Sequence, residues 1–131
     1  AASWPEDYKG RFLPGVVVRL TSGAQGYITS VAPAGSSFKV KIGTSRPRDG
    51  VEVLETVPKS APEETVTEQE LEIVRPGKKT SVIIVTDSGD ASRGDTGELI
   101  TIDGVDGVVR LSSTNDVVLL DMSCLARRWV E

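Results

Sequence analysis

The sequence of 131 residues contains no histidine and a single cysteine, Cys124. Without histidine there is no His-based catalytic triad and no general base whose ordinary pKa lies near neutrality. One cysteine forms neither an internal disulfide nor a multi-cysteine metal centre, which is typical of proteins in a reducing compartment. We therefore predict that the protein is not an enzyme and that it holds no metal and no cofactor.

Long apolar runs are also missing. No stretch approaches the roughly 18 apolar residues that a membrane-spanning helix needs, so no membrane association is expected. Hydrophobic residues make up 38% and charged residues 26% of the chain, an ordinary globular mixture. The first residues contain neither an initiating Met nor a basic-then-apolar leader. We expect a fragment of a longer intracellular protein, monomeric in isolation.

The chain does contain an internal repeat, in which one β pattern occurs twice. Each copy has a β-branched run, a G-x-x-G turn, a second β-branched run and a third. The copies cover 16–20, 23–26, 27–31 and 38–42, and then 82–85, 94–97, 98–102 and 108–111. Self-similarity of this kind indicates two copies of one small unit, and β-branched residues favour strands.

We predict an all-β fold made of two tandem SH3-like barrels of five strands each, spanning 1–75 and 76–131. Closing the sheet is how small β domains remove exposed edges. Breaker-rich stretches at 43–50 and 58–65 are predicted to be loops. Thr67 and Glu70 have the spacing of a capping box on a single helical turn, and 121–125 is its equivalent in the second copy.

Charge is divided unevenly along the chain, although the net charge is only −4. Seven basic residues and no acidic one lie between Lys9 and Arg48, whereas eight acids and one Lys lie in 49–72. Alternation over 38–42 directs Lys39 and Lys41 outward, and Arg19 is expected on the same side. Candidate nucleic-acid-binding residues are therefore Arg11, Arg19, Lys39, Lys41, Arg46 and Arg48.

Two glycines occupy equivalent places in the copies, Gly26 and Gly97. Glycine is required where the backbone has a positive φ or approaches another chain segment closely, so both are interpreted as structural. Gly97, followed by Leu99, Ile100 and Ile102, matches the glycine and apolar steps of the KOW signature. Residues 79–125 resemble a KOW domain, the small SH3-like barrel of NusG-type transcription factors, and 4–74 resemble such a domain more weakly, with Gly26 as the matching glycine.

The run 96–111 together with 121–126 is similar to the C-terminal KOW domain of the eukaryotic NusG homologues, the large subunits of the DRB-sensitivity-inducing elongation factor. This resemblance implies that the chain holds the two C-terminal KOW domains of such a factor. It also implies a nuclear role in transcription elongation. The partners it implies are RNA polymerase II, elongation-complex proteins, and nascent RNA or upstream DNA.

The residues themselves leave two function classes open. One is a polymerase- or protein-docking module, in which the basic residues only solubilise an outer face. The other is a weak contact with RNA or DNA phosphates that does not read base identity.

Aromatic residues make up only 5% of the chain. The candidates for base stacking, Trp4, Tyr8, Phe12 and Tyr27, are more readily interpreted as core anchors of a lead-in segment. A methyl-lysine reader needs a cage of aromatics. The aromatic residues of the first unit cluster before the barrel rather than in its loops.

Overall fold

A computed structural model describes residues 4–48 and 50–130. In these residues the secondary structure consists of β-strands and three short 3-10 turns, with no α-helix. The predicted all-β class is therefore confirmed. The chain divides into two compact units, Ala1–Ile73 and Val74–Glu131. Over the same described residues, no helix is long and apolar enough to cross a membrane.

The first unit contains a five-stranded antiparallel sheet and a separate two-stranded hairpin. Its strands are β1 Val17–Leu20, β2 Gln25–Val31, β3 Phe38–Ile42, β4 Thr44–Arg48, β5 Val51–Thr56, β6 Glu63–Val66 and β7 Leu71–Ile73. The sheet has the order β6-β3-β2-β1-β7, and β4 pairs with β5. The described part of this unit has seven strands, which corrects the predicted five.

The second unit contains one five-stranded antiparallel sheet. Its strands are β8 Thr80–Ile84, β9 Thr96–Asp103, β10 Asp106–Leu111, β11 Val117–Asp121 and β12 Leu125–Arg127. The order β11-β10-β9-β8-β12 is the order of the first sheet, strand for strand, once the β4–β5 hairpin is set aside. The repeat in the sequence is therefore a repeat of topology. Among the described residues each sheet ends in two edge strands, and neither closes by hydrogen bonding.

Both glycines of the repeat lie inside strands, and both are required by close backbone approach rather than by a positive φ. A Cβ on Gly26 would collide with the Lys41 carbonyl oxygen of β3. One on Gly97 would lie 2.6 Å from the Arg110 carbonyl oxygen of β10. Three residues further on, each strand has a β-bulge, with Thr29 or Ile100 as the extra residue. Bulges of this kind increase the local twist and bend the strand.

Alternating side chains form a separate core in each unit. In the first, Val18, Ile28, Phe38 and Val40 are buried on one face of the sheet. In the second, the buried cluster is Val82, Ile84, Ala91, Leu99, Val109, Leu111, Leu120, Met122 and Leu125. These are the faces that the period-two pattern predicts.

The two predicted helical turns are present as 3-10 turns, Glu68–Glu70 and Met122–Cys124, each between the fourth and fifth strands of its sheet. The capping box is confirmed: Glu70 Oε2 accepts the Thr67 backbone N–H at 2.8 Å. In the second unit the Asp121 carboxylate accepts the Ser123 N–H at 2.8 Å. The predicted loops at 43–50 and 58–65 are partly wrong, because 44–48 form β4 and 63–66 form β6.

Candidate functional site

Alternation along β3 builds the centre of the candidate surface. Phe38 and Val40 are buried, whereas Lys39 is exposed and Lys41 half-buried on the opposite side. Arg19 pairs with Gln25 of β2, and Lys41 pairs with Tyr27 of the same strand. Because residues two apart in a strand point to the same side, Arg19 lies on the side of Lys41. We call the surface around Arg19, Lys39 and Lys41 the basic face. The register thus places three of the six candidate residues on one side of the sheet.

The edge strands place acids beside these cations. On β7, Glu72 lies opposite Arg19, and its Oε1 is 3.8 Å from Arg19 Nη1. On β6, Glu63 lies opposite Lys41. Lys41 Nζ donates to the Lys59 carbonyl oxygen at 3.2 Å. The acidic segment that follows the basic one in sequence therefore folds back along the edges of the basic face, and it offsets part of the positive charge there.

Arg46 and Arg48 lie on β4, in the hairpin rather than in a loop, and so belong to a different sheet from the other candidates. Arg46 Nε lies 2.8 Å from Glu55 Oε2 of β5, an ion pair within the hairpin. Arg48 is exposed. The two arginines thus lie on a paired strand and not in the predicted loop.

Arg11 lies in the lead-in before β1 and is exposed. Around it, Tyr8 is buried and meets Phe38 edge-to-face, with ring centroids 5.7 Å apart. Phe12 packs on the same ring at 5.7 Å, and its N–H donates to the Tyr8 hydroxyl at 2.9 Å. These two aromatics fix the lead-in to the core, as predicted.

One buried polar residue was missed by sequence reasoning. Gln25 is 2% exposed, and its Nε2 donates to the Glu52 carbonyl oxygen of β5 at 3.0 Å. This bond ties the hairpin to the main sheet. No periodicity in the sequence signals it, because the two residues are far apart and one of them contributes only its backbone.

The second unit presents a different surface. Arg110 and Glu98 form a loose, exposed ion pair at 4.0 Å. Asp103, Asp106 and Asp121 lie side by side on β9, β10 and β11, since Asp106 pairs with both of the others. The Ser123 backbone and side chain both donate to Asp121, which lowers the pKa of that carboxyl. Across residues 4–48 and 50–130, no group of three or more His, Cys, Asp or Glu is arranged to hold a metal ion.

The strand over 117–120 follows from the sequence pattern, but its apolar exposure at the edge of the sheet was missed. Val117 and Leu119 on β11 are each 55% exposed. The signal was visible in the sequence as four consecutive apolar residues, 117–120, at a place where an edge strand would alternate with charged residues.

Two comparisons with known proteins bear on these surfaces. Residues 74–127 match the model of the seventh KOW domain of transcription elongation factor SPT5. Over 125 residues, the chain is 33% identical to a putative transcription elongation factor SPT5 homolog 1 of Arabidopsis thaliana. These findings support an SPT5-type fragment. The match covers 92% of this chain and 10% of that relative, so the chain spans about a tenth of the length of the SPT5 homologue.

The SPT5 similarity confirms the KOW resemblance for the second unit. It also supports a role in transcription elongation for a protein that contains this chain. In the KOW domain so matched, Gly97 has no space for a side chain.

Proposed function

We propose that this chain is a non-catalytic binding module of a nuclear transcription elongation factor, and that it associates with RNA polymerase II to regulate elongation and pausing. The observation that carries the proposal is the match of 74–127 to an SPT5 KOW domain, joined to the same strand order in the other unit. A small sheet presenting charged and apolar outer faces is suited to docking on other macromolecules rather than to chemistry.

We further propose that both units are SH3-like KOW barrels, the two C-terminal ones of the factor, with a boundary near residues 73–76. In support, the glycine without side-chain space and the bulge three residues later recur at Gly26 and Gly97. The 3-10 turn before the last strand recurs as well. The hairpin β4–β5 is then an insertion in the first barrel.

The docking role is tested by adding the 131-residue chain to purified RNA polymerase II elongation complexes and measuring retention at physiological salt. In a transcription assay driven by the full-length factor, excess chain is expected to compete and to change pause lifetimes. Chain that is not retained and does not alter pausing would contradict the proposal.

A second candidate is a weak, sequence-independent contact with nucleic-acid phosphates through the basic face. Lys39 favours it, because this side chain is exposed on the basic face. The acids beside Arg19, Lys41 and Arg46 weigh against it. Few cations remain to displace counterions, so we expect a shallow dependence of affinity on salt, where each neutralised phosphate of a single strand contributes a slope of about −0.7.

Charge reversal separates the two candidates. The double variant Lys39→Glu and Lys41→Glu is expected to retain polymerase binding and to lose retention of single-stranded RNA and duplex DNA. Lys78→Glu with Lys79→Glu makes the same change of charge at exposed positions of the second unit and is the matched control. Equal loss of nucleic-acid binding in both variants would indicate net charge alone and would remove the basic face from consideration.

A further inference from the structure

The last sheet ends in an edge strand that is apolar on both sides. In β11, Leu120 is buried in the core and Val118 packs against it. Val117 and Leu119 point to the other side, where each is 55% exposed. On that side Leu119 lies opposite Val108 of β10, which is half-buried. A run of exposed apolar side chains on an edge strand is a site at which another strand can add.

The backbone of β11 is also directed outward at these positions. Leu111 N–H donates to the Asp116 carbonyl at 2.9 Å, and Met122 N–H donates to the Val105 carbonyl at 2.8 Å. In an antiparallel ladder the residues that bond to the neighbouring strand alternate. The even-numbered residues of β11 therefore bond to β10. Val117, Leu119 and Asp121 direct their N–H and C=O groups away from it, on the side where the sheet ends.

The equivalent edge of the first unit lacks these properties. There β6 occupies the place of β11 in the sheet order, and it carries Glu63 and Glu64. Charged residues on an edge strand discourage pairing with another chain, since an added strand would have to desolvate them. The first unit thus has a protected edge and the second an open one, although their topology is the same.

Charge indicates what the open edge would accept. The row Asp103, Asp106 and Asp121 crosses three strands and ends on β11, two residues beyond Leu119. The three carboxylates form one negatively charged row, and a cation on an added strand would complement it. Residues 76–131 as a whole carry nine acids and six bases. A second copy of this unit would bring further acid to the edge, whereas a basic segment would complement it.

We propose that β11 accepts an added antiparallel β-strand from a partner protein, an extended segment with two apolar residues at alternate positions and a Lys or Arg two residues before the first of them. The apolar side chains would cover Val117 and Leu119, and the basic one would meet the aspartate row at Asp121. Backbone hydrogen bonds to the outward groups of β11 supply affinity, and the alternating side chains supply specificity. This inference rests on the proposed docking role of the second unit and names the chemistry of what docks there.

The test is a titration of the 15N-labelled 131-residue chain with a synthetic peptide, acetyl-Lys-Thr-Val-Thr-Val-Thr-amide, followed by NMR. In the antiparallel register its Lys lies opposite Asp121 and its valines lie opposite Leu119 and Val117. We expect shift changes centred on β11 and slower hydrogen exchange at the Val117 and Leu119 amides. A peptide with both valines N-methylated keeps the side chains and loses the two hydrogen bonds that the valine N–H groups donate to β11, so its binding is expected to fall at least tenfold.

Variants of the chain test the side-chain part of the proposal. Leu119→Lys is expected to weaken peptide binding at least tenfold. Val51→Lys, at a position of nearly equal exposure (54%) on the first unit, is the matched control and is expected to leave binding unchanged. Replacing both Asp103 and Asp106 by Asn is expected to weaken binding two- to fivefold for the Lys peptide, about the size of an exposed ion pair. It is expected to have no effect on a peptide with Gln in place of Lys.

Three results would overturn the proposal. The first is an absence of shift changes at β11 up to the solubility limit of the peptide. The second is equal binding of the N-methylated peptide. The third is concentration-dependent shift changes at β11 in the chain alone, accompanied by dimer in sedimentation, which would make a second copy the occupant. Polymerase retention is measured separately on the same variants, so failure of this inference and failure of the proposed function are distinguishable.

Discussion

The two units have the same sheet order and differ in what they place around it. Between its third and fourth sheet strands the first unit inserts the β4–β5 hairpin, where the second has only a turn at 112–116. The following edge strand is acidic in the first unit and apolar in the second. The frame is determined by a few inward-facing positions, and the outer faces and edges vary without disturbing it. Binding differences between the units are therefore expected at these places.

The equivalence of the two units is tested most strongly by truncating matched core residues, for which we expect the largest loss of stability. Ile28 and Leu99 are each fully buried, two residues after the paired glycines. Replacement of either by Ala is expected to reduce the free energy of unfolding of its own unit by about 2–5 kcal/mol, through lost burial and the cavity left behind. Residue-resolved hydrogen exchange in urea measures the free energy of unfolding of each unit separately. A small loss at one position and a large loss at the other would show that the positions are not equivalent.

The paired glycines are expected to have the next largest effect. Gly26→Ala and Gly97→Ala each force a Cβ against a backbone carbonyl of the neighbouring strand, and overpacking of this kind costs about 1–3 kcal/mol. Gly26 is expected to be the more sensitive, because its Cβ would approach the carbonyl oxygen more closely. Gly89→Ala is the control, since a Cβ there meets nothing within 4 Å. The readout is the urea midpoint, and a neutral Gly26→Ala would refute the close-approach argument.

A smaller effect is expected from the 3-10 turn of the second unit, whose contribution to stability depends on pH. The hydrogen bonds from Ser123 lower the pKa of Asp121 in the folded state. Its contribution to stability is therefore present above the ordinary aspartate pKa and is lost as the pH falls through the lowered value. Asp121→Asn keeps an acceptor but not the charge. The variant is expected to be less stable than the parent at neutral pH, and the difference should vanish in acid. A difference that persisted in acid would contradict this assignment.

The smallest effect is expected at the edge of the basic face. The pair between Arg19 and Glu72 is long at 3.8 Å, and the two side chains are 35% and 71% exposed. Exposed pairs of this kind contribute about 0.2–1 kcal/mol and are screened by salt. Glu72→Gln is expected to fall at the lower end of that range and to have no effect at high salt. Under the nucleic-acid hypothesis the same variant should strengthen RNA binding slightly, because it frees Arg19.

Sequence patterns predicted the strands whose side chains alternate between core and solvent. Phe38–Ile42 is the clearest example, since each buried residue is separated from the next by a lysine. The strand β4 was missed because Thr44–Arg48 contains no apolar residue and includes Pro47. Such a segment forms a strand only when a partner supplies the hydrogen bonds, and proline is tolerated at an edge. Acidic β6 was missed for the same reason: pairing with β3 determines its structure, and composition does not.

The candidate site was predictable in its cations and not in their surroundings. That Lys39 and Lys41 point away from the core follows from alternation alone. That Arg19 has Glu72 beside it depends on the register between β1 and β7, the first and last strands of the unit. Such long-range registers are determined by packing of the whole core, which no local pattern encodes. The apolar edge of β11 was readable as a run of residues, but its meaning depended on knowing that no strand among the described residues pairs beyond it.

The hairpin β4–β5 branches from the first sheet between β3 and β6; the bond from Gln25 to Glu52 ties it to the sheet, and Leu54 of β5 is buried. The exposed positions of the hairpin can therefore change in charge while its buried residue and its bond to Gln25 keep it in place. A lineage could recharge this arm, and so acquire or discard a contact, without having to refold the module that bears it.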